Sequence, residues 1–132
     1  MLATGTVAST SWEETPFAEY AAGSKSTRAT VGNHYSGTIE GAAALEYLMF
    51  YTEGSVAHFV GLERIVGSVA GREGSFVLEH IGAWVAGVVR TNVRVLPASG
   101  TGELSGINGQ GSLIWDGQHG DPSRYTLDLE FD

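Results

Sequence analysis

The stretch Arg124-Tyr125-Thr126-Leu127-Asp128-Leu129-Glu130-Phe131 decides the fold class of this chain. Its large apolar residues alternate strictly with Thr, Asp and Glu, so that one face is apolar and the other is polar. Side chains of a β-strand point alternately to two faces, and this pattern is typical of a strand with one buried face. Residues 88–96 repeat the pattern, with Val and Thr opposing Arg and Asn. The chain therefore contains at least two half-buried strands.

Strand-like segments fill the rest of the chain and are joined by short, Gly-containing turns. The expected strands are residues 2–13, 26–40, 42–52, 55–69, 75–84, 88–96, 101–115 and 124–131. We expect loops at residues 14–24, which contain Pro16, and at residues 116–122, and a hairpin turn at Glu53-Gly54. Eight strands can close around side chains or one small ligand. We therefore predict an all-β fold, an eight-stranded antiparallel closed β-barrel forming one domain over residues 1–132, with a two-sheet sandwich as the alternative.

The composition excludes several classes of partner. The chain has 132 residues, a formal net charge of −8 and only seven Lys and Arg. A phosphate backbone or an anionic membrane surface would repel it, so we expect neither nucleic acid nor membrane as a partner. There is no Cys, which excludes disulfides and thiolate chemistry. No segment is long enough for a membrane span, and the first residues lack a signal-peptide pattern, so we expect a cytoplasmic protein.

Motifs for common cofactors are missing from the sequence. The glycines of residues 100–111 lack the strand–loop–helix context of a dinucleotide site, and no phosphate loop or Gly-x-Ser-x-Gly elbow occurs. The four histidines, His34, His58, His80 and His119, show no paired-ligand spacing. We therefore expect no cofactor and no metal.

Three ionisable residues stand among apolar neighbours on strand faces and are the candidate catalytic groups: Glu46, Glu63 and His80. If both carboxylates point into a barrel, burial and mutual repulsion raise their pKa values, so that one is an acid and the other a base. His80 would move a proton near neutral pH. The alternatives are that Glu63 pairs with an Arg, that both carboxylates face solvent, and that His80 is a core residue with one satisfied partner.

Aromatic residues supply the candidate ligand-binding groups. Trp12, Tyr35, Phe76 and Trp84 are expected to line the lumen, with core packing as the alternative interpretation. Tyr47 falls on the strand face opposite Glu46, so the two should not line the same cavity without a bulge.

Several motifs together resemble a known family. They include Phe59-Val60-Gly61-Leu62-Glu63-Arg64 and Gly71-Arg72-Glu73-Gly74-Ser75-Phe76, and further residues are Trp12, His80 and segments 37–41, 46–49, 99–106 and 125–128. The chain resembles the bacterial domain of unknown function 3224 family, whose members adopt an allene-oxide-cyclase-like β-barrel. The resemblance covers nearly the whole chain and implies a self-associating eight-stranded barrel. An acidic, peptidase-like activity has been suggested for a relative. The chain departs from the family pattern at Val93, where a Trp is expected, and at Trp84 and Trp115, where none is.

We expect a barrel that binds a small, largely apolar molecule in its lumen. As an enzyme it would be a cofactor-free cyclase or isomerase that uses acid and base groups, because a shaped cavity can fold a flexible substrate toward reaction. The alternatives are a non-catalytic barrel that binds a hydrophobic ligand and an acidic hydrolase or peptidase that uses Glu46 and Glu63. The expected partners are the small molecule and further copies of the chain.

Overall fold

The computed structural model of the chain describes residues 1–52, 54, 56–118 and 120–131. Glu53 and His119 lie outside the described residues, and so do the turn expected at Glu53-Gly54 and the position of that histidine. The described part contains a 3-10 turn at Ala21–Gly23 and β-strands. The strands are β1 (Leu2–Glu19), β2 (Lys25–Gly37), β3 (Ile39–Tyr51), β4 (Val56–Val69), β5 (Arg72–Val85), β6 (Val88–Val95), β7 (Thr101–Gly102), β8 (Asn108–Trp115) and β9 (Ser123–Glu130).

All strands belong to one antiparallel sheet, and eight of them form a ring. The order around the ring is β1-β2-β3-β4-β5-β6-β8-β9, with β9 paired to β1. The short strand β7 pairs with the beginning of β5 at Gly74 and Ser75. The prediction of an all-β, antiparallel, eight-stranded fold is confirmed at this level. The two-sheet alternative is wrong, because β4 pairs with β5 along its whole length and links the two ends of the sheet.

The first strand is longer than the sequence predicts. Residues 14–19 were expected in a loop because of Pro16, but β1 continues to Glu19 with bulges near Ser9 and Pro16. Beyond Val7, β1 pairs with β2 alone, since its pairing to β9 ends there. Pro lacks an N–H and is tolerated where one strand edge is unpaired or bulged. Pro16 therefore does not end the strand.

Two expected strands are each divided in the structure. The segment 26–40 turns at Thr38, because Gly37 has a φ of 111° that an L side chain rarely adopts, and Gly41 lies inside β3. The segment 101–115 divides into β7 and β8. Between them lies a loop whose Leu104 and Ile107 are fully or almost fully buried and cover one end of the ring. The glycines in these two segments indicated that the strands are interrupted, but not at which residue.

The interior of the ring has two halves that differ in packing. We call the first the filled half, and its core side chains are Ala3, Val7, Tyr35, Ile39, Ala43, Ile65, Val69, Phe76, Leu78, Val93, Val95, Leu104, Ile107, Leu113, Tyr125, Leu127 and Leu129. We call the second the hollow half, and its smaller core cluster is Ala29, Val31, Leu45, Met49, Ala57 and Phe59. The filled half supplies most of the buried apolar surface, which is the main stabilising contribution to such a fold.

The outer surface of β3, β4 and β5 is unusually apolar. Leu48, Val60 and Ile81 are paired across these strands, and about half of each side chain is exposed. Leu62 and Phe50 extend the patch. Among the described residues, no helix has the length and apolar character required to cross a bilayer.

Candidate functional site

The hollow half encloses a cavity of about 720 Å³ that opens at one end of the ring. The apolar and aromatic part of its wall is formed by Val31, Leu45, Met49, Ala57, Phe59, Trp84, Val89, Leu113 and Trp115. Polar side chains also line it, namely those of Ser9, Thr10, Ser11, Asn33, Thr91 and Ser123. Trp12, which is about half exposed, stands at the rim. A cavity with these walls can hold a drug-sized molecule, since such sites commonly occupy about 300–1,000 Å³.

A buried polar network forms the floor of this cavity, at the boundary with the filled half. Glu63 is at its centre and is fully buried. Its Oε1 accepts hydrogen bonds from the hydroxyl of Tyr35 at 2.5 Å and from Nε2 of His80 at 2.9 Å. Its Oε2 accepts a hydrogen bond from Nδ2 of Asn33 at 2.7 Å. The hydroxyl of Tyr47 lies 3.3 Å from Nδ1 of His80.

The register of the strands brings these side chains together. Glu63 on β4 pairs with Leu45 on β3 and Leu78 on β5, and all three point inward. His80 follows two residues after Leu78 and therefore has the same inward orientation. Tyr47 likewise follows Leu45 by two residues on β3. Neighbouring strands thus place a hydroxyl, an imidazole and a carboxylate beside one another.

Two inward-facing glycines make room for the aromatic rings above the floor. A Cβ at Gly61 would lie 2.7 Å from Cδ1 of Tyr47, and a Cβ at Gly82 would lie 2.6 Å from Cζ of Phe59. The rings of Tyr47 and Phe59 pack edge to face with centroids 4.8 Å apart, and Tyr47 also meets the His80 ring at 5.7 Å. Such packing fixes the direction of the Tyr47 hydroxyl toward His80.

The donors around Glu63 indicate an ionised carboxylate. Three groups donate to its two oxygens, and a buried carboxylate is stable as an anion only when it is satisfied in this way. Among the described residues, the basic side chain that contacts it is His80 rather than an Arg or Lys. Burial and the charge of Glu63 raise the pKa of Tyr35 well above its ordinary value. Burial and the same charge also raise the pKa of Tyr47.

The network also fixes the tautomer of His80. Because Nε2 faces the Glu63 carboxylate, the neutral ring carries its hydrogen on Nε2 and donates it to Oε1. Nδ1 is then a hydrogen-bond acceptor, and the Tyr47 hydroxyl donates to it. Only 1% of the His80 side chain is exposed, whereas Tyr47 is partly exposed and lines the cavity. Tyr47 and His80 both line the cavity, and Glu63 lies behind them.

A second polar group stands nearer the mouth. Glu14 accepts hydrogen bonds from Nε1 of Trp12 at 3.0 Å, from the hydroxyl of Thr27 at 2.7 Å, and from the hydroxyl of Tyr51. Burial on its own raises the pKa of Glu14, but these hydrogen bonds and the nearby Lys25 outweigh it, and the pKa lies below its usual value. This group holds Trp12 and Tyr51 at the rim.

The structure brings together two of the three predicted catalytic residues. Glu63 and His80 are in direct contact, but Glu46 is not with them. Glu46 lies on the outer face, where it forms an exposed ion pair with Arg28 at 3.1 Å and accepts a hydrogen bond from Thr30. The hydrogen bond from Arg28 lowers the pKa of Glu46. The expectation that Glu46 and Glu63 share the interior is wrong, because Glu46 pairs with the exposed Leu62 and therefore has the parity opposite to Glu63.

Of the four predicted ligand-binding residues, two line the cavity and two do not. Trp12 and Trp84 line the cavity. Tyr35 lies beneath the floor, where it is fully buried and holds Glu63. Phe76 is part of the filled half and does not reach the cavity, because the core of that half covers it completely. Whether Trp12 and Trp84 bind a ligand stays a prediction.

Sequence reasoning missed Asn33 and underrated Tyr47. The available signal for Asn33 is that Asn is uncommon in the interior of a strand and here has the same parity as the inward Val31 and Tyr35. Its Oδ1 accepts a hydrogen bond from Ser9 at 3.1 Å, so both ends of the amide are used. Tyr47 does lie opposite Glu46, as predicted, but Tyr47 is the one that faces inward.

No metal site is evident in the part of the chain that the structure describes. No three His, Asp or Glu side chains there come close enough to hold an ion. Tyr47, His80 and Glu63 are themselves able to form hydrogen bonds and to transfer protons among one another.

A ring of eight antiparallel strands around a cavity with a polar floor places this chain among the all-β proteins with an internal pocket. The chain belongs to the family described as "Protein of unknown function (DUF3224)", whose model matches residues 3–129. It is also similar to the crystal structure of a protein of unknown function from the same family, from Shewanella oneidensis MR-1. The two share 30% sequence identity with a TM-score of 0.78, and the match covers 100% of this chain and 97% of that one. No match was found among curated proteins.

Proposed function

We propose that this protein binds a small, largely apolar molecule inside its ring of strands. One observation carries the proposal, namely a cavity of about 720 Å³ with apolar walls that ends on the buried network of Tyr47, His80 and Glu63. Small-molecule sites commonly combine apolar walls with a few convergent polar groups, which fix the orientation of the ligand. The ligand would place its apolar part against Phe59 and Trp84 and its one polar end at Tyr47.

The proposal includes closure of the ring as an allene-oxide-cyclase-like β-barrel. The continuous pairing of β4 with β5 and of β1 with β9 supports closure. In a closed eight-stranded sheet, the interior is just wide enough for side chains or one small ligand. Fold alone does not define the ligand, so the argument for binding depends on the cavity.

The binding proposal is tested with a neutral fluorescent probe, N-phenylnaphthylamine, and a variant that fills the cavity. Ala57 is buried and lines the cavity, so Ala57→Trp should occupy the space and weaken probe binding at least ten-fold. Ala44→Trp introduces the same side chain on the exposed outer face of β3 and is the control. Equal binding by both variants would place the probe outside the cavity and would contradict the proposal. Circular dichroism spectra would check that both variants fold.

A cofactor-free cyclase or isomerase is the second candidate. The specific observation that favours it is the chain of contacts from Tyr47 through His80 to Glu63, since a positioned acid–base group contributes typically about 10²–10⁴-fold to a rate. If the protein is an enzyme, Glu63→Gln should abolish turnover while leaving affinity for the ligand largely intact. If it is a binding protein, the unchanged chain should already show no turnover. A two-carboxylate hydrolase is disfavoured, because Glu46 and Glu63 lie on opposite faces of the sheet.

Self-association stays a prediction, and so does the expected cytoplasmic location. The exposed apolar side chains of the outer patch, among them Leu48, Val60 and Ile81, support self-association because large exposed apolar patches commonly mark interaction sites. Light scattering of the purified chain would measure the number of subunits.

A further inference from the structure

The charges around the cavity select against ligands that are already anionic. Glu63 carries the buried negative charge of the floor, and Asp121 adds a carboxylate at the rim. Among the described residues that line the cavity, none is Lys or Arg, and His80 is the residue that can become a cation. A permanent anion would thus approach Glu63 without a compensating charge, which is costly in a buried site.

The directions of the hydrogen bonds in the floor favour a ligand that donates a hydrogen bond to the Tyr47 oxygen. Glu63 takes the Nε2 hydrogen of His80, and Nδ1 takes the hydrogen of the Tyr47 hydroxyl. The Tyr47 oxygen then presents lone pairs to the cavity. A carbonyl or ether oxygen would find no hydrogen there while the imidazole is neutral, whereas an O–H group would find an acceptor.

From this we propose, building on the binding function above, that the ligand is a neutral molecule with one acidic hydroxyl, a phenol or an enol, which transfers its proton to His80 on binding. In the transfer, the ligand O–H bond breaks and its proton moves to the Tyr47 oxygen, while the Tyr47 proton moves to Nδ1 of His80. Tyr47 is neutral before and after the step. The products are the ligand anion and an imidazolium that remains bonded to Glu63 through Nε2.

The surroundings of His80 support this direction of transfer. The titratable groups that face it are Tyr47 from β3, Glu63 from β4 and, through Glu63, Tyr35 from β2. On β6 its partner is Val93, which carries no charge. The imidazolium would therefore lie between the Glu63 carboxylate and the new ligand anion, and the site would gain a cation at the same time as an anion.

Tyr47 is suited to relay a proton without retaining the charge. Burial and the negative charge of Glu63 raise its pKa, so the phenolate form of Tyr47 is disfavoured and the anion resides on the ligand. An aliphatic alcohol would keep its proton, because its pKa is far above that of an imidazole. A phenol or enol is acidic enough, and its flat apolar part fits walls made by Phe59 and Trp84.

The experiment uses para-nitrophenol, whose anion has a visible absorption band that the neutral form lacks. At a pH one unit below its ordinary pKa, adding the protein should raise the anion band in proportion to the probe bound. Equilibrium dialysis measures binding separately. The methyl ether para-nitroanisole, which has no acidic proton, should bind at least ten-fold more weakly than para-nitrophenol.

Matched variants test whether the anion band depends on the polar network at the floor of the cavity. Tyr47→Phe keeps the ring and leaves Glu63 and His80 in place, and it should reduce the anion band per bound probe at least ten-fold. Tyr20→Phe makes the same change at an exposed position outside the cavity lining, and this control should keep the band. Glu63→Gln should also abolish the band, whereas Glu46→Gln on the outer face should not change it.

The outcomes separate this inference from the proposed function. Probe that binds in its neutral form would overturn proton transfer, and an anion band that survives Tyr47→Phe would overturn the relay through Tyr47. Either result would leave the binding function intact. Tighter binding of the ether than of the phenol would do the same. If the phenol and the ether both fail to bind, and N-phenylnaphthylamine fails as well, then both proposals are wrong.

Discussion

The filled and hollow halves of the ring are built from the same eight strands but have opposite interiors. In the filled half, Phe76, Leu127 and Leu129 are fully buried, and Leu104 and Ile107 cover the end from a loop. In the hollow half, the inward side chains stop at the walls and leave about 720 Å³ between them. Protein interiors are normally close-packed, so a cavity of this size lowers stability relative to a filled interior.

The two halves differ in which side chains occupy the centre of the ring. The filled half has a loop that supplies two extra apolar side chains, whereas the hollow half ends on polar groups that satisfy one another around Glu63. No buried side-chain nitrogen or oxygen among the described residues lacks a hydrogen-bond partner. The polar floor therefore separates a region that stabilises the fold from a region that is available to a ligand.

The largest change in the free energy of unfolding is expected when an aromatic side chain is removed from the core of the filled half. Phe76→Ala should lower the free energy of unfolding by about 3–5 kcal/mol, because it removes a fully buried ring and leaves a void. Trp84→Ala removes a larger side chain from the cavity wall, where it already faces open space, and should cost about 1–2 kcal/mol. Urea denaturation measures both values. Equal losses would show that the two halves contribute equally to stability.

An intermediate effect is expected when one Ala is enlarged in each half. Ala43→Leu adds three carbons to the filled half and should cost about 1–3 kcal/mol through overpacking. Ala57→Leu makes the same change at the cavity wall and should alter stability by less than about 0.5 kcal/mol, since the added carbons enter open space. Thermal unfolding of the pair tests the difference. A similar loss in both variants would mean that the hollow half is packed as tightly as the filled half.

The smallest effect concerns the carboxylate at the mouth. The folded pKa of Glu14 is lowered, so its contribution to stability is present above the unfolded value near 4.3 and is lost as the pH falls through the folded pKa. Glu14→Gln should therefore lower Tm by about 1–3 °C at neutral pH, and the difference should shrink below about pH 4. Thermal scans at several pH values measure it. Glu13→Gln, on the exposed neighbouring residue, is the control for net charge, and a similar pH profile for that variant would contradict the role of Glu14.

Much of the fold could be predicted from the sequence, but less of the site. The alternation in residues 124–131 and 88–96 correctly indicated strands with one inward face. The same logic misjudged Glu46, since both parities of β3 contain large apolar residues: Leu48 and Phe50 point outward, and Leu45 and Met49 point inward. Because the outer surface is also apolar, the alternation of apolar and polar residues along β3 does not indicate which face is inside. Glu63 and His80 were found because their apolar neighbours happened to lie on the inward face.

The sequence by itself determined that this chain is an all-β, acidic protein with eight main strands and three ionisable residues among apolar side chains. Period-two alternation is a local property, so it could be recognised without coordinates. Only the tertiary structure decided which face is interior, where Asn33 and Tyr47 meet His80, and which half of the ring stays open. These depend on the pairing register between strands, such as Leu45 with Glu63 and Gly61 with His80. The hydrophobic pattern specifies that register only weakly here, because both faces of β3 and β4 carry apolar side chains.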